Sequence, residues 1–242
     1  MVRTPNTPSI TSMRSLFRAA SIVLLSACAQ SPSAAPAPSP ATAAAAPRMM
    51  TPAPEERGKF ILLRNTDTVV VERYTRAGES LTGEMVIPGQ TRITYAASMN
   101  SDMTVREMRV ARYDLTAADT GARDRATMRF VGDSVILEPV GVPAIRAAVP
   151  RGTLPYINPS PVFMELALRR ARMIGGASVG IPILSVGSPS AETAMMTITY
   201  PSAGLANASI AGVSLDFSLD AQGRLVGGSV ASQGVTIERV AY

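Results

Sequence analysis

From Lys59 onward, apolar and polar residues alternate with a period of two, the spacing at which successive side chains point to opposite faces of a strand. Lys59 to Arg64 and Thr68 to Arg76 are rich in β-branched and aliphatic residues and are separated by Asn65-Thr66-Asp67, a turn composition, which predicts a hairpin. Leu81 to Ile87 follows and stops at Pro88-Gly89. In Thr91 to Met99 the residues Ile93, Tyr95, Ala97 and Met99 alternate with Arg92, Thr94, Ala96 and Ser98, the pattern of a strand with one wet face. After a turn at Asn100-Ser101-Asp102, Thr104 to Tyr113 changes its apolar parity between Val105 and Met108, which predicts a β-bulge. Ala126 to Val131 and Ser134 to Val140 are joined through Gly132-Asp133 as another hairpin.

One segment breaks the period. Ser160-Pro161 supplies an N-cap and a proline at the first helical position, Val162 to Ile174 holds good helix formers, and Gly175-Gly176 is a stop. Phe163, Met164, Leu166, Ala167, Leu168, Met173 and Ile174 cover most of the circumference of this helix, so it is expected to lie against a sheet. Arg169, Arg170 and Arg172 fall in its last turns, where the helix dipole favours cations, and Glu165 is placed to pair with Arg169. They are expected to cap and cover the helix end rather than bind an anion. Beyond it, Ile181 to Val186, Ala194 to Tyr200, Ala208 to Leu219, Arg224 to Val230 and Val235 to Val240 read as further strands, with a turn at Asp220-Ala221-Gln222-Gly223. About twelve strands and one apolar helix predict a mainly β fold, an antiparallel meander curled as a half-barrel or open barrel around that helix.

The stretch before Lys59 has a different character. Of the 26 residues from Ala29 to Pro54, 17 are Ala or Pro, which cannot build a core and predicts an extended tether of at most roughly 80 Å. Upstream, Arg14 and Arg18 precede a short apolar run, Ala19 to Leu25, which ends at Leu25-Ser26-Ala27-Cys28. Counted on to Cys28 the stretch is about ten residues, half the length a membrane-spanning helix needs. The order of basic, apolar and small residues ending in the single cysteine of the chain resembles the lipobox of bacterial lipoproteins. That resemblance implies a signal peptide over 1–27, with Met13 as an alternative start, and a lipidated Cys28 at the head of a tether over 28–54. Residues 55–242 then form one β-rich domain. Ala29, where inner-membrane retention uses Asp, implies outer-membrane sorting and a periplasm-facing, lipid-anchored protein of the cell envelope. The outline of strands around a helix is also similar to the lipoprotein-carrier group of periplasmic half-barrels and to uncharacterised envelope domains.

Charge narrows the partners. The formal +5 includes Arg3, Arg14 and Arg18 of the leader, and the remaining arginines are interleaved with acids, as in Arg106-Glu107 and Arg123-Asp124-Arg125. This is not the clustered basic stripe of a nucleic-acid binder, and no nucleic acid is expected as a partner. With Cys28 acylated, no thiol is left for a disulfide, and the fold must rest on its core.

Three motifs touch on chemistry. Gly176-Ala177-Ser178-Val179-Gly180 matches G-x-S-x-G, but it follows a helix rather than preceding one and the chain has no histidine to serve as base; the single lysine, Lys59, sits at the start of a strand. Asp119-Thr120-Gly121-Ala122 matches the D-T-G-A sequence of aspartic proteases, which resemblance implies a second aspartate that this chain could provide only by dimerising. Thirteen methionines in a chain without tryptophan suit either an ordinary core or a deformable pocket for an apolar ligand. No metal site and no cofactor are expected. The leading expectation is therefore a non-enzymatic, membrane-anchored envelope lipoprotein that binds an apolar, lipid-like ligand or a protein partner. Phe163, Met164, Leu166 and Met173 are the candidate ligand contacts. An aspartic-type hydrolase using Asp119 and a purely structural envelope protein are the alternatives.

Overall fold

A computed structural model describes residues 54–118, 121–187 and 191–241. Cys28, the tether up to residue 53 and Asp119 lie outside the described residues. The chain runs through β1 (Glu55–Arg64), β2 (Asp67–Ala77), β3 (Ser80–Ile87), β4 (Thr91–Met99), β5 (Val105–Asp114), β6 (Ala122–Val131), β7 (Ser134–Pro139), β8 (Ile145–Ala148) and β9 (Leu154–Tyr156). Then come α1 (Pro161–Ile174), β10 (Ser178–Ser185), β11 (Thr193–Ser202), β12 (Leu205–Ile210), β13 (Val213–Leu219), β14 (Leu225–Val230) and β15 (Val235–Val240). All fifteen strands belong to one sheet, in the order β8-β7-β6-β5-β4-β3-β2-β1-β15-β14-β13-β12-β11-β10-β9. Two antiparallel meanders thus meet where β15 pairs with β1, from Lys59 opposite Val240 to Arg64 opposite Val235. β9 and β10 are parallel, and α1 is the crossover between them. The sheet is open, with β8 and β9 as its edges.

The helix fixes the curvature. Its residues bond to Glu72 on β2, Leu225 on β14, Arg239 on β15 and Tyr200 on β11, and they pack on β10. From β2 to β10 is seven inter-strand steps, about 33 Å across a flat sheet. A helix only about 10–12 Å thick touches both flanks only if the sheet curls around it. β9 comes to lie against β5 for the same reason.

The alternating strands behave as their pattern dictates. Leu215, Phe217 and Leu219 of β13 are buried while Ser214, Asp216 and Ser218 face out. The parity change in β5 is a bulge: Ser98 pairs with Glu107 and Met99 with Val105, leaving Arg106 extra. Three differences account for the additional strands. Ala208 to Leu219 is not one strand but β12 and β13, folded over at Ala211 and Gly212, whose φ angles are 48° and 80°. β9 carries Pro155, tolerable because an edge strand leaves one side unpaired. β8 is only four residues long.

In α1, Phe163, Met164, Leu166, Ala167 and Leu168 are buried, but Met173 and Ile174 are exposed, against the expectation that the apolar stripe runs to the helix end. The last turn projects past the sheet, where water replaces the strands. Met99, Met108, Met128, Met164 and Met196 sit in the core, whereas Met195 is exposed.

Candidate functional site

The two ends of the curled sheet differ in chemistry. At the end where the C-terminus of α1 lies, arginines bolt the helix to the sheet. Arg170 donates to the Asp102 carbonyl at 2.8 Å and to its carboxylate at 3.0 Å, and Arg172 donates to the Ala203 carbonyl at 3.1 Å. Deeper in, Glu165 is buried, with Arg169 Nη2 at 2.6 Å, the Leu225 N–H donating to it at 3.2 Å and Arg239 bonded to the same carboxylate oxygen. Glu56 accepts from Arg169 at 3.2 Å and from the Tyr74 hydroxyl at 3.0 Å. Burial pushes the Glu56 carboxyl up, but Arg169, Arg76 and the Tyr74 hydroxyl outweigh it and hold it below the usual range. Arg76 is buried in the same cluster, 3.6 Å from Glu56 and 3.9 Å from Glu165. Three guanidinium groups and two carboxylates close this end.

Glu72 divides the two ends. It points inward from β2, fully buried, and its carboxylate accepts from Ser160 Oγ at 2.6 Å, from the Tyr95 hydroxyl at 2.9 Å and from the Val162 N–H at 3.1 Å. Ser160 Oγ in turn accepts from the Phe163 N–H at 3.3 Å as the helix cap. Two glycines make the geometry possible. A Cβ on Gly83 would stand 2.3 Å from the Tyr95 ring, and one on Gly58 would stand 2.4 Å from the Tyr74 ring. Each tyrosine therefore lies flat over the neighbouring strand, and its hydroxyl reaches a carboxylate. The carboxylate meets the positive end of the helix dipole and satisfies an orphan donor. Burial nevertheless dominates and raises the Glu72 carboxyl to about 7, with the three hydrogen bonds pulling it down only in part.

A raised folded-state value fixes the sign of the pH effect. The contribution of Glu72 to stability is present below the unfolded value near 4.5 and is lost as pH rises to about 7. The loss is on the order of 3 kcal/mol, because each tenfold difference in proton affinity between the folded and unfolded chain is worth about 1.4 kcal/mol. Glu56, Asp102 and Asp220, whose carboxyls are lowered, act oppositely and at lower pH. Denaturant melts of wild type and Glu72→Gln at pH 5 and pH 8 isolate the group, because the variant lacks only that titration. The gap between them should shift toward the variant at pH 8, and parallel profiles would refute the assignment.

At the N-terminal end of α1 the interior is not filled. A cavity of about 750 Å³ lies between the first turn of the helix and the sheet, within the range of small-molecule sites. Its mouth is ringed by hairpin ends, among them Arg64, Pro88, Gln90, Ala211 and Gln233. The lining sorts by depth. Leu62, Val70, Pro161, Met164, Ile183, Leu215, Val230, Val235 and Ile237 are buried and apolar, whereas the lining residues Arg64, Thr68, Gln90, Asn158, Ser185, Glu192, Thr193 and Gln233 are all exposed. Tyr156 brings the one hydroxyl of the buried wall, and it donates to Asn158 Oδ1 at 3.3 Å.

The residues singled out from the sequence separate here. Met164 lines the cavity. Phe163 packs edge-on against Tyr95 at 5.1 Å, and Leu166 is fully buried, so both belong to the helix–sheet core. Met173 is 57% exposed beyond the opposite end. Ser178 of the G-x-S-x-G match is exposed at the start of β10, and Lys59 lies on β1, six strands away in the sheet order. Sequence reasoning missed Glu72, Arg76 and the strand residues of the cavity. One signal was there: Glu72, Tyr74 and Arg76 share the parity of the apolar Val70 and so must face inward.

Among the described residues, no helix is long and apolar enough to cross a membrane. No family model matches the chain, and no curated protein matches it. Several solved structures are similar to it in fold, two of them as follows. One, a DUF1089 family protein from Pseudomonas aeruginosa, is 18% identical, with a TM-score of 0.50 over 66% of this chain and 89% of its own. The other, a beta-barrel-like protein of the domain of unknown function DUF1849 from Brucella abortus, is 10% identical, with a TM-score of 0.45 over 78% of this chain and 97% of its own.

Proposed function

We propose that this chain is a non-enzymatic lipoprotein of the bacterial outer membrane, tethered through Cys28 and facing the periplasm, whose cavity holds an apolar, lipid-like ligand. The observation that carries the binding role is the sorted lining of the cavity. Buried walls of aliphatic side chains offer hydrophobic transfer and no reactive group, while polar residues stay at the mouth in water. A concave site of this volume favours a small ligand over the face of a protein partner. The lipobox and the tether over 28–54 support the anchor, and the closed, arginine-bolted end leaves the opposite end as the entrance.

Binding of a fluorescent fatty acid tests the reading. Val213 is half-buried and lines the cavity, so Val213→Trp should fill space without emptying the core. Wild type should bind, and the variant should bind at least about tenfold more weakly, a change of roughly 1.4 kcal/mol, with its melting little altered. Equal binding by both proteins would place the ligand elsewhere, and no binding by wild type would end the proposal.

A further inference from the structure

Among the described residues, the buried walls of the cavity have no free hydrogen-bond donor to offer. Its floor is the first turn of α1, and the donors there are taken: the Val162 N–H by Glu72, the Phe163 N–H by Ser160 Oγ, and the Met164 N–H by the Ser160 carbonyl. The Tyr156 hydroxyl gives its proton to Asn158 and keeps only acceptor capacity. A helix N-terminus is ordinarily an anion site, but here the Glu72 carboxyl and Ser160 already take its free N–H groups, so an acidic ligand group would find no donor there. Among the described residues, the charged ones lining the mouth are Arg64 and Glu192, one of each sign, which together favour neither an anionic nor a cationic head.

Resting on the ligand-binding reading above, we infer that the cavity selects its ligand by the hydrocarbon chain and is indifferent to the head group. The class of ligand is a single-chain amphiphile without polar substituents along the chain, bound tail-first with its head left in water among the hairpins. A polar group drawn into the wall would give up its bonds to water and find no free donor there. Each methylene moved from water into the wall should raise affinity about fourfold, the equivalent of the transfer free energy of one buried CH₂.

Competition against a bound fluorescent fatty acid, with the full chain, tests this. Octanoate, decanoate and dodecanoate vary the chain, dodecanol and dodecylamine vary the head at constant chain, and 12-hydroxydodecanoate places a hydroxyl at the buried tip. Affinity that climbs steeply with chain length, differs by less than about threefold among the three dodecyl heads, and falls at least about tenfold for the hydroxylated tip supports the inference. A preference of tenfold or more for one head, or tolerance of the buried hydroxyl, overturns it while leaving the binding role intact. If the fluorescent fatty acid itself does not bind, the binding role fails and this inference with it.

Discussion

Glu165→Ala should destabilise the protein by about 3–5 kcal/mol, the range for removing one member of a buried ionic cluster. The carboxylate is almost wholly buried and faces Arg169, Arg239 and Arg76, with the Leu225 N–H as a further donor. Its removal leaves three guanidinium groups against Glu56 alone, with Arg76 buried and Arg169 and Arg239 mostly so. Two of those cations already stand in contrasting states. Burial works against the charge on Arg239, but Glu165 and Tyr74 together outweigh it and raise its value, whereas the value of Arg76 is lowered by burial and by Arg169. Much of the expected loss is therefore the cost of uncompensated charge rather than the worth of a pair. Denaturant melts at neutral pH measure it, and the double variant Glu165→Ala with Arg239→Ala should lose less than the sum of the two single losses. A single-variant loss below about 1 kcal/mol would mean that water reaches the cluster.

Burial decides which of the many ion pairs matter. Arg129 and Glu138 are paired across β6 and β7, but both side chains are more than a third exposed, so the pair is worth about 0–1 kcal/mol. The cluster around Glu165 instead bridges α1 to β1, β2 and β15 and holds the helix where its first turn can floor the cavity. Core residues such as Leu166 supply the attraction, and the charges set the register of helix against sheet.

How much of this was legible in the sequence follows from the range of the interactions involved. Alternation in Thr91 to Met99 and in Val213 to Leu219 specifies strands because the inward and outward faces differ residue by residue. Ser160-Pro161 and Gly175 mark α1 through capping, again a local effect. The turn between β12 and β13 escaped because Ala211 holds a left-handed φ that turns usually give to Gly or Asn. β9 escaped because proline argues against a strand until the strand is known to be an edge. The cavity was not legible at all. Its walls come from β1, β2, β10, β13 and β15, and its volume depends on how tightly the sheet curls, a sum of small twists that no single segment encodes. Thus of the four proposed contacts, which were chosen from the helix alone, only Met164 reaches it.

Cys28→Ser should abolish lipid attachment completely. The sulfur is the only thiol of the chain, so no neighbouring residue can take over as acceptor, and serine at this position offers an oxygen that the thioether chemistry of the resembled lipoproteins does not use. The apolar run before it is too short to span a bilayer, so the protein should then depend on the uncleaved leader or be released from the membrane. One acyl chain gives only marginal membrane binding, and stable anchoring needs two or more, which is the reason loss of the lipid should be decisive for location. Metabolic labelling with a fatty-acid analogue, followed by fractionation of membranes from soluble periplasm, reads both effects. Wild type should carry label and sediment with the outer membrane, while the serine variant should carry none and change fraction. Label that persists on the variant, or a wild type that is never labelled, would remove the anchor from the proposed function while leaving the cavity and its ligand to be tested on their own.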